Sequence, residues 1–304
     1  MNNIYSDLAV ELCKNLPKND FSASGIECKN EFCGSLKTET VSITSPQGAE
    51  LVGKPMGKYV TVSCGKLWLE HQEKFKEKVY DFARLLRSFL SQTEGSILVA
   101  GLGNESITAD AIGPTAVKHL IVTRHIRNEK PQIFKELGLR EISAMTPGVL
   151  GQTGIESTDM ITSIARQIKP SLLIVIDALA SRALSRLVNT IQISDCGISP
   201  GSGIGNSRPA LSPEKLGLPI LSIGVPTVVD AATLAADAIR EFSNEETDGE
   251  HIRRKWSKNG LNFFVTPKET DQVIRVLGSF IGYGINLAVN KELSYEDMLS
   301  LAGG

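Results

Sequence analysis

Two aspartates, Asp110 and Asp177, carry the chemistry that the chain's residue types most directly allow. The first lies in a loop after the apolar run 96–102; the second directly ends the run 172–176. Both runs are short, rich in Ile, Val and Leu, and free of polar alternation, the pattern of strands buried on both faces. In an open parallel sheet, reactive groups sit just past the carboxyl ends of strands. Both aspartates are expected at that position. They are 67 positions apart, which leaves room for one or two crossover units and predicts neighbouring strands. Two carboxylates held close cannot both ionise easily, so one pKa falls and the other rises. The ionised member then takes a proton from water while the protonated member hydrogen-bonds a carbonyl oxygen. Such general acid–base help is worth about 10²–10⁴-fold. The chemistry this allows is metal-free peptide hydrolysis by an aspartic pair; the competing reading of each aspartate is a turn or helix N-cap residue, a role aspartate favours.

Other motifs compete and are weaker. Gly101-Leu102-Gly103 after a strand hints at a nucleotide loop, but Ser106 stands where the third glycine of G-x-G-x-x-G belongs. Gly197-Ile198-Ser199-Pro200-Gly201 fits G-x-S-x-G. That elbow uses the N–H of the residue after the serine for its oxyanion hole, and Pro200 has none. There is no H-E-x-x-H. Five scattered cysteines and four histidines show no ligand spacing, so neither metal nor cofactor is expected. The odd cysteine count fits a reducing compartment.

The surrounding elements read as one α/β domain over 1–304, with a mixed, mostly parallel sheet and flanking helices. Residues 1–70 are β-rich, with alternating runs at 40–44 and 59–63 as an antiparallel pair and turns at 45–48 and 53–57. A short helix is expected over 7–12 and an amphipathic one over 71–90, with Phe75, Val79, Phe82, Leu86 and Phe89 inward. The α/β core spans 95–242. It contains the strand 96–102, a helix over 111–127, a weak strand at 139–145 and a glycine-rich loop at 146–154. A helix with Ile155, Ile161 and Ile168 inward precedes the second buried strand. Further strands are expected at 190–194 and 220–226, with a loop at 200–206 between them. Thr227-x-x-Asp230 reads as a capping-box variant opening a helix over 228–242, with Asp230 in a cap or turn role. The polar stretch 243–258 reads as an exposed connection. A strand at 261–265 and an amphipathic helix at 270–289 form the C-terminal part, 259–290.

A net charge of −2 and the absence of any Lys/Arg block argue against a nucleic-acid partner. No apolar run approaches the roughly 20 residues of a membrane span. The N-terminus has no signal-peptide pattern, and the reading is cytosolic.

Several stretches together resemble the germination (spore) protease family. They are 102–114, 147–156, 176–182, 191–206 and 223–231, with Gly53-Lys54-Pro55, Val265-Thr266-Pro267-Lys268-Glu269 and Ser6-Asp7-Leu8-Ala9-Val10-Glu11. The resemblance implies an endopeptidase that starts the degradation of small acid-soluble spore proteins during germination, acting in the spore core (cytoplasmic). It implies an atypical aspartic mechanism, a homotetramer, and a fold similar to hydrogenase maturation proteases. It also implies a zymogen cleaved just before the stretch that begins at Ser6. The family's two implicated aspartates fall on Asp110 and Asp177. Asn104, Glu156, Arg182, Asp195 and Ser202 lie in the same motifs and are candidates for supporting or substrate-binding roles. The chain departs from the family pattern at Ala109, where Pro is usual, and at Cys196, where Thr is usual. Two other readings accompany this one. One is a nucleotide- or small-ligand-binding α/β protein using the loops at 101–104 and 201–206. The other is a catalytically idle relative that only binds spore proteins.

Overall fold

The computed structural model describes all residues except 1–5, 15, 17–20, 22–23, 91–93, 200–208, 244–248, 260–262 and 303–304. A single sheet organises it, with β1 (Ile26–Cys33), β2 (Leu36–Ile43), β3 (Gly57–Ser63), β4 (Ile97–Gly101), β5 (Ile142–Met145), β6 (Leu172–Ser181), β7 (Thr190–Ser194), β8 (Ile220–Asp230) and β9 (Phe264–Val265). The order is β1-β2-β3-β7-β8-β6-β4-β5, and β9 pairs with β8. Strands β8, β6, β4 and β5 run parallel; β1, β2, β3 and β7 join them antiparallel. The fold class expected from the sequence is therefore present. The N-terminal strands are no separate sheet, because β3 pairs with β7.

Helices cover both faces. In chain order they are α1 (Ala9–Cys13), α2 (Pro46–Val52), α3 (Gln72–Leu90), α4 (Ile112–Val117), α5 (Arg124–Glu129), α6 (Pro131–Leu137), α7 (Leu150–Thr153), α8 (Ser157–Ile168), α9 (Pro213–Leu216), α10 (Ala231–Ser243), α11 (Gly249–Lys258), α12 (Thr270–Val289) and α13 (Tyr295–Ala302). One face carries α3, α4 and α12. There Ile97, Val99, Ile174 and Ile176 pack with Phe82, Ile112, Leu277 and Phe280. The Phe82 and Phe280 ring centroids are 5.0 Å apart. Fully burying one such side chain contributes about 1.5–3 kcal/mol. Helix α12 is long and apolar enough to cross a bilayer, but most of it is buried in this core. The other face carries α8, whose Ile161 and Ala165 pack on Leu98, Leu173 and Val175.

Several elements differ from their sequence-based expectation for local reasons. The turn expected at 45–48 is the start of α2, where the Ser45 hydroxyl accepts from the Gly48 N–H. Strand β1 was not foreseen; it is almost wholly exposed and so lacks an apolar period. The helix expected over 111–127 breaks between α4 and α5, where buried Thr123 bonds to the backbone of Arg140 and Ile142 instead. Ile155 precedes α8 and is exposed rather than inward. Strand β8 runs on to Asp230, so Thr227 is a buried strand residue and α10 begins at Ala231. Asp230 caps it, its Oδ1 accepting from the Thr233 N–H at 2.8 Å. The stretch read as an exposed connection contains α11.

Candidate active site

Strand β4 stops at Gly101 while its neighbour β6 continues to Ser181. Beyond Ile176, β6 has β8 on one side only, apart from a last bond from the Leu102 N–H to the Ile176 carbonyl at 2.8 Å. Asp177 is the next residue. It is therefore not past the end of its strand, as the apolar run suggested, but inside it, paired across to Gly224. The position beside it is not taken by β4, because the shorter strand has ended. Strand alternation puts Asp177 on the face of Leu173 and Val175, the α8 side. It is buried, and its Oδ1 accepts from the Ala178 N–H at 2.9 Å.

The segment after β4 folds straight back toward that position. Asp110 ends a 3₁₀ turn, Thr108–Asp110, which lies against β6 and β8. Its Oδ2 accepts from the Asn104 N–H at 2.8 Å. Two glycines permit this fold-back. Gly103 has φ +113°, and a Cβ there would lie on the Asp110 carbonyl oxygen. A Cβ on Gly113 would lie 2.7 Å from the Ile176 carbonyl oxygen. Asp110 is thus stacked on Leu102–Gly103, and Leu102 is bonded to the residue preceding Asp177. Both aspartates lie at the carboxyl-end side of neighbouring strands, Asp110 in the turn that follows β4 and Asp177 within β6.

That end of the sheet is also a topological switch point. The helix after β4 packs on one face and the helix after β5 on the other. Ligand crevices form where the connections diverge in this way. The two diverging loops are bridged, the Gln152 Nε2 donating to the Asn104 Oδ1 at 2.7 Å. Asn104 therefore links the Asp110 turn to the glycine-rich loop that ends in α7.

The remaining expected residues are distributed more widely. Glu156 lies at the N-cap position of α8, where its side chain makes no capping bond. Arg182 follows β6, about 16 Å beyond Asp177 at roughly 3.3 Å per residue, and pairs with Asp237 at 3.2 Å. It lines a different hollow, of about 740 Å³, with Glu11, Glu39 and Arg186. Asp195 is exposed at the end of β7, where its Oδ1 accepts from the Lys58 N–H at 2.8 Å. The structure does not bring Arg182 or Asp195 to the carboxylate corner. Ser202 and the loop at 201–206 lie outside the described residues.

Two further groups hold β6 in place. Asp7 and Glu11 are both buried. The Ala180 N–H donates to the Asp7 Oδ2 at 2.9 Å. The Arg182 and Ala183 N–H groups donate to the Glu11 carboxylate at 2.7 and 3.0 Å. The signal was present in Ser6-Asp7-Leu8-Ala9-Val10-Glu11, a stretch too polar in its buried members to be an ordinary amphipathic helix. Beside Asp7, a cavity of about 190 Å³ opens toward Lys54, Tyr59, Leu179, Cys196 and Gly224. Burial pushes the Cys196 thiol up to about 12 and the Lys54 amine down from its usual range. Cys196 is therefore a neutral packing group and no nucleophile. Among the described residues, no three His, Cys, Asp or Glu side chains gather as a metal-binding set.

A family model described as Germination protease matches residues 6–257. The chain belongs to the germination protease family. The germination protease of Caldanaerobacter subterraneus subsp. tengcongensis is 40% identical, with 98% of each chain covered. That of Clostridium perfringens is 38% identical, again with 98% of each covered. That of Bacillus subtilis is 35% identical over 97% of this chain and 95% of its own. Membership in the germination protease family makes this chain a spore-germination peptidase. Among solved structures, a [NiFe] hydrogenase maturation protease, HycI, from Thermococcus kodakarensis KOD1 is similar at 16% identity and TM-score 0.35, covering 66% of this chain and 98% of that one.

Proposed function

We propose that the chain is an endopeptidase that opens the degradation of small acid-soluble spore proteins at germination, with Asp110 and Asp177 as a metal-free aspartic pair. The observation that carries this reading is the fold-back of the Asp110 turn onto the end of β4, against the strand that holds Asp177. One carboxylate, ionised, accepts a proton from the attacking water. The other, protonated, donates a hydrogen bond to the scissile carbonyl oxygen as it gains charge. Asn104 fixes Asp110 through its backbone N–H, and the Ala178 N–H fixes Asp177. The rest of the reading places the enzyme in the spore core as a homotetramer made as a zymogen.

The nucleotide-binding alternative is disfavoured by Gly103. The space that a missing Cβ would offer a phosphate is filled by the chain's own Asp110 carbonyl.

The deciding experiment is cleavage of a purified small acid-soluble spore protein with EDTA present. Wild type is run beside Asp110→Asn and Asp177→Asn, with circular dichroism to establish folding. The expected result is cleavage by wild type and a loss of about 10²–10⁴-fold in each folded variant. A folded variant that cuts at the wild-type rate makes its aspartate structural and overturns the mechanism. A folded wild type that binds the substrate and leaves it intact identifies the idle relative.

A further inference from the structure

Helix α8 begins with donors that the fold leaves unused. It has twelve residues, and its first turn is buried: Ser157 is 7% and Thr158 5% exposed. The first N–H groups of a helix have no partner inside it, and a buried helix end must find partners elsewhere. The Asp159 and Met160 N–H groups both donate to the Glu156 carbonyl, at 3.0 and 3.2 Å. The Ser157 and Thr158 N–H groups meet no acceptor among the described residues. The Thr158 hydroxyl is buried as well, and among the described residues it has no hydrogen-bond partner. A buried donor left unmet is costly to the fold and calls for an explanation.

Two sets of contacts place these donors at the aspartate end of the sheet. Thr158, Ile161 and Ala165 stand at i, i+3 and i+7, one stripe of the helix. Ile161 and Ala165 pack on Leu98, Leu173 and Val175. Along β6, Leu173, Val175 and Asp177 alternate onto that same face. Helix α8 is the crossover between β5 and β6, which both run parallel to β4. It therefore runs back against them, and its N-terminus lies at their carboxyl ends, the direction in which Asp177 follows Val175. Hydrogen bonds also lead from it to Asp110. The Ser157 hydroxyl donates to the Gly148 carbonyl at 2.7 Å, in the loop that Gln152 bridges to Asn104, and the Asn104 N–H holds Asp110.

We propose that the Thr158 hydroxyl and the Ser157 and Thr158 N–H groups are the oxyanion site of the reaction, receiving the scissile carbonyl oxygen of the substrate. This rests on the reading of the chain as an endopeptidase acting at Asp177. Water's oxygen bonds to the carbonyl carbon, its proton goes to the ionised carboxylate, and the carbonyl π pair moves onto the oxygen. The α8 donors and the protonated carboxylate share that oxygen. When the C–N bond breaks, the pair returns to the carbonyl and a proton goes to the leaving amine. Donors fixed in a water-poor site need no reorganisation as the charge appears. The positive end of the α8 dipole favours the same charge. A helix end kept buried and unpaired in the resting protein is thus matched to a group that arrives only with substrate.

The test is steady-state cleavage of a small acid-soluble spore protein by wild type, Thr158→Val and Thr158→Ser, beside Asp110→Asn and Asp177→Asn. Valine keeps the side-chain shape and removes the donor. Its kcat should fall about 10²–10³-fold, the loss typical of one oxyanion donor, with KM little changed. Thr158→Ser should keep most of the activity. The hydroxyl has no partner to lose, so Thr158→Val should melt no lower than wild type. A variant that unfolds or melts several degrees lower makes Thr158 a support of the fold and overturns the proposal. A second probe is a peptide of the cleaved sequence with a phosphinate in place of the scissile amide. Thr158→Val should weaken its binding at least about tenfold, and unchanged binding overturns the site. Wild-type kcat in folded Thr158→Val, beside inactive aspartate variants, overturns this site and leaves the aspartic pair standing. A slow Thr158→Val beside fully active aspartate variants overturns the pair and leaves the site. A folded wild type that cuts nothing overturns both.

Discussion

Asp110 and Asp177 lie at the same end of the sheet, on or beyond neighbouring strands, but are held there by different parts of the chain. Asp177 sits inside a ten-residue strand, with β8 hydrogen-bonded along one side and the Asp7 and Glu11 carboxylates on the backbone just beyond. Its position is a product of long-range pairing. Asp110 sits in a three-residue 3₁₀ turn that combines local holds, the Asn104 N–H on its carboxylate and the close approach of Gly103 to its carbonyl, with a tie to α12, where the Thr108 hydroxyl donates to the Asp271 Oδ1 at 2.7 Å. A rigid carboxylate and a loop-borne one give a pair whose geometry can be adjusted from one side only. Perturbations of the loop should reach Asp110 without moving Asp177, and perturbations of the N-terminal segment should do the reverse.

The largest break in this comparison is expected at Gly103. Valine there meets the Asp110 carbonyl and must also adopt a φ near +113°, a region that β-branched residues avoid. The turn cannot keep its path. Gly103→Val should lower kcat by at least about 100-fold, as if the general acid–base contribution were lost. The strands should persist, read by far-ultraviolet circular dichroism. Wild-type kcat in this variant would show that the fold-back is not what places Asp110.

The opposite perturbation is Glu11→Gln. The carboxylate accepts from two backbone N–H groups and from the Ser6 hydroxyl, and it lies 3.8 Å from the Arg186 Nε. An amide offers one acceptor oxygen where three donors converge. An unsatisfied buried donor costs about 1–3 kcal/mol, and each kcal/mol lowers the melting temperature by about 2–4 °C in a chain of this order. A fall of several degrees is expected. Hydrogen exchange should quicken at the Arg182 and Ala183 amides while the Asn104 amide keeps its protection. Equal loss of protection at Asn104 would mean that the two supports are not independent.

The same difference explains what was legible in the sequence. The buried strands β4 and β6, the long helices α3 and α12, and the adjacency of the two aspartate-bearing strands follow from apolar runs and their spacing. Those signals are set by burial on both faces or by a 3.6-residue period, and they survive without tertiary context. The aspartates stand out because each follows a buried apolar run at its carboxyl end, where an open parallel sheet carries reactive groups. The continuation of β6 past Asp177 was not legible. Ala178, Leu179, Ala180 and Ser181 carry little strand preference, and pairing with β8 and the Asp7 contact make them a strand. The same tertiary override extended β8 over Thr227. Arg182 and Asp195 share motif stretches with Asp177 and β7, yet strand geometry carries them elsewhere. Proximity in sequence says little when one residue adds more than 3 Å along a strand.

A smaller effect is expected where the two loops are joined. Gln152→Ala removes the amide that donates to Asn104. A neutral hydrogen bond of this kind contributes about 0.5–1.5 kcal/mol. The Asn104 backbone N–H still reaches Asp110, so the carboxylate keeps its direct support. The expected result is a several-fold fall in kcat with an unchanged melting temperature. A loss as large as that of Gly103→Val would move the bridge from the margin of the site to its centre.

The smallest effect separates the titration of the pair from the acid sensitivity of the fold. Glu70 lies just ahead of α3, where hydrogen bonds from Lys78 and then Lys74 hold its carboxyl below the usual carboxylate range. A lowered folded pKa means that the unfolded chain binds the proton first as pH falls. The stabilisation from Glu70 is thus fully present above about 4.5, and it is lost as pH drops through the lower folded value. Glu70→Gln should cost less than about 1 kcal/mol near neutrality and nothing once both states are protonated. The melting temperatures of the two proteins should therefore converge in acid. If Asp110 and Asp177 perform the chemistry, the pH profile of kcat measured on folded protein should be the same in both. A profile that shifts with Glu70→Gln would mean that the acid limb of activity reports unfolding, and the carboxylate pair would have to be tested by substitution alone.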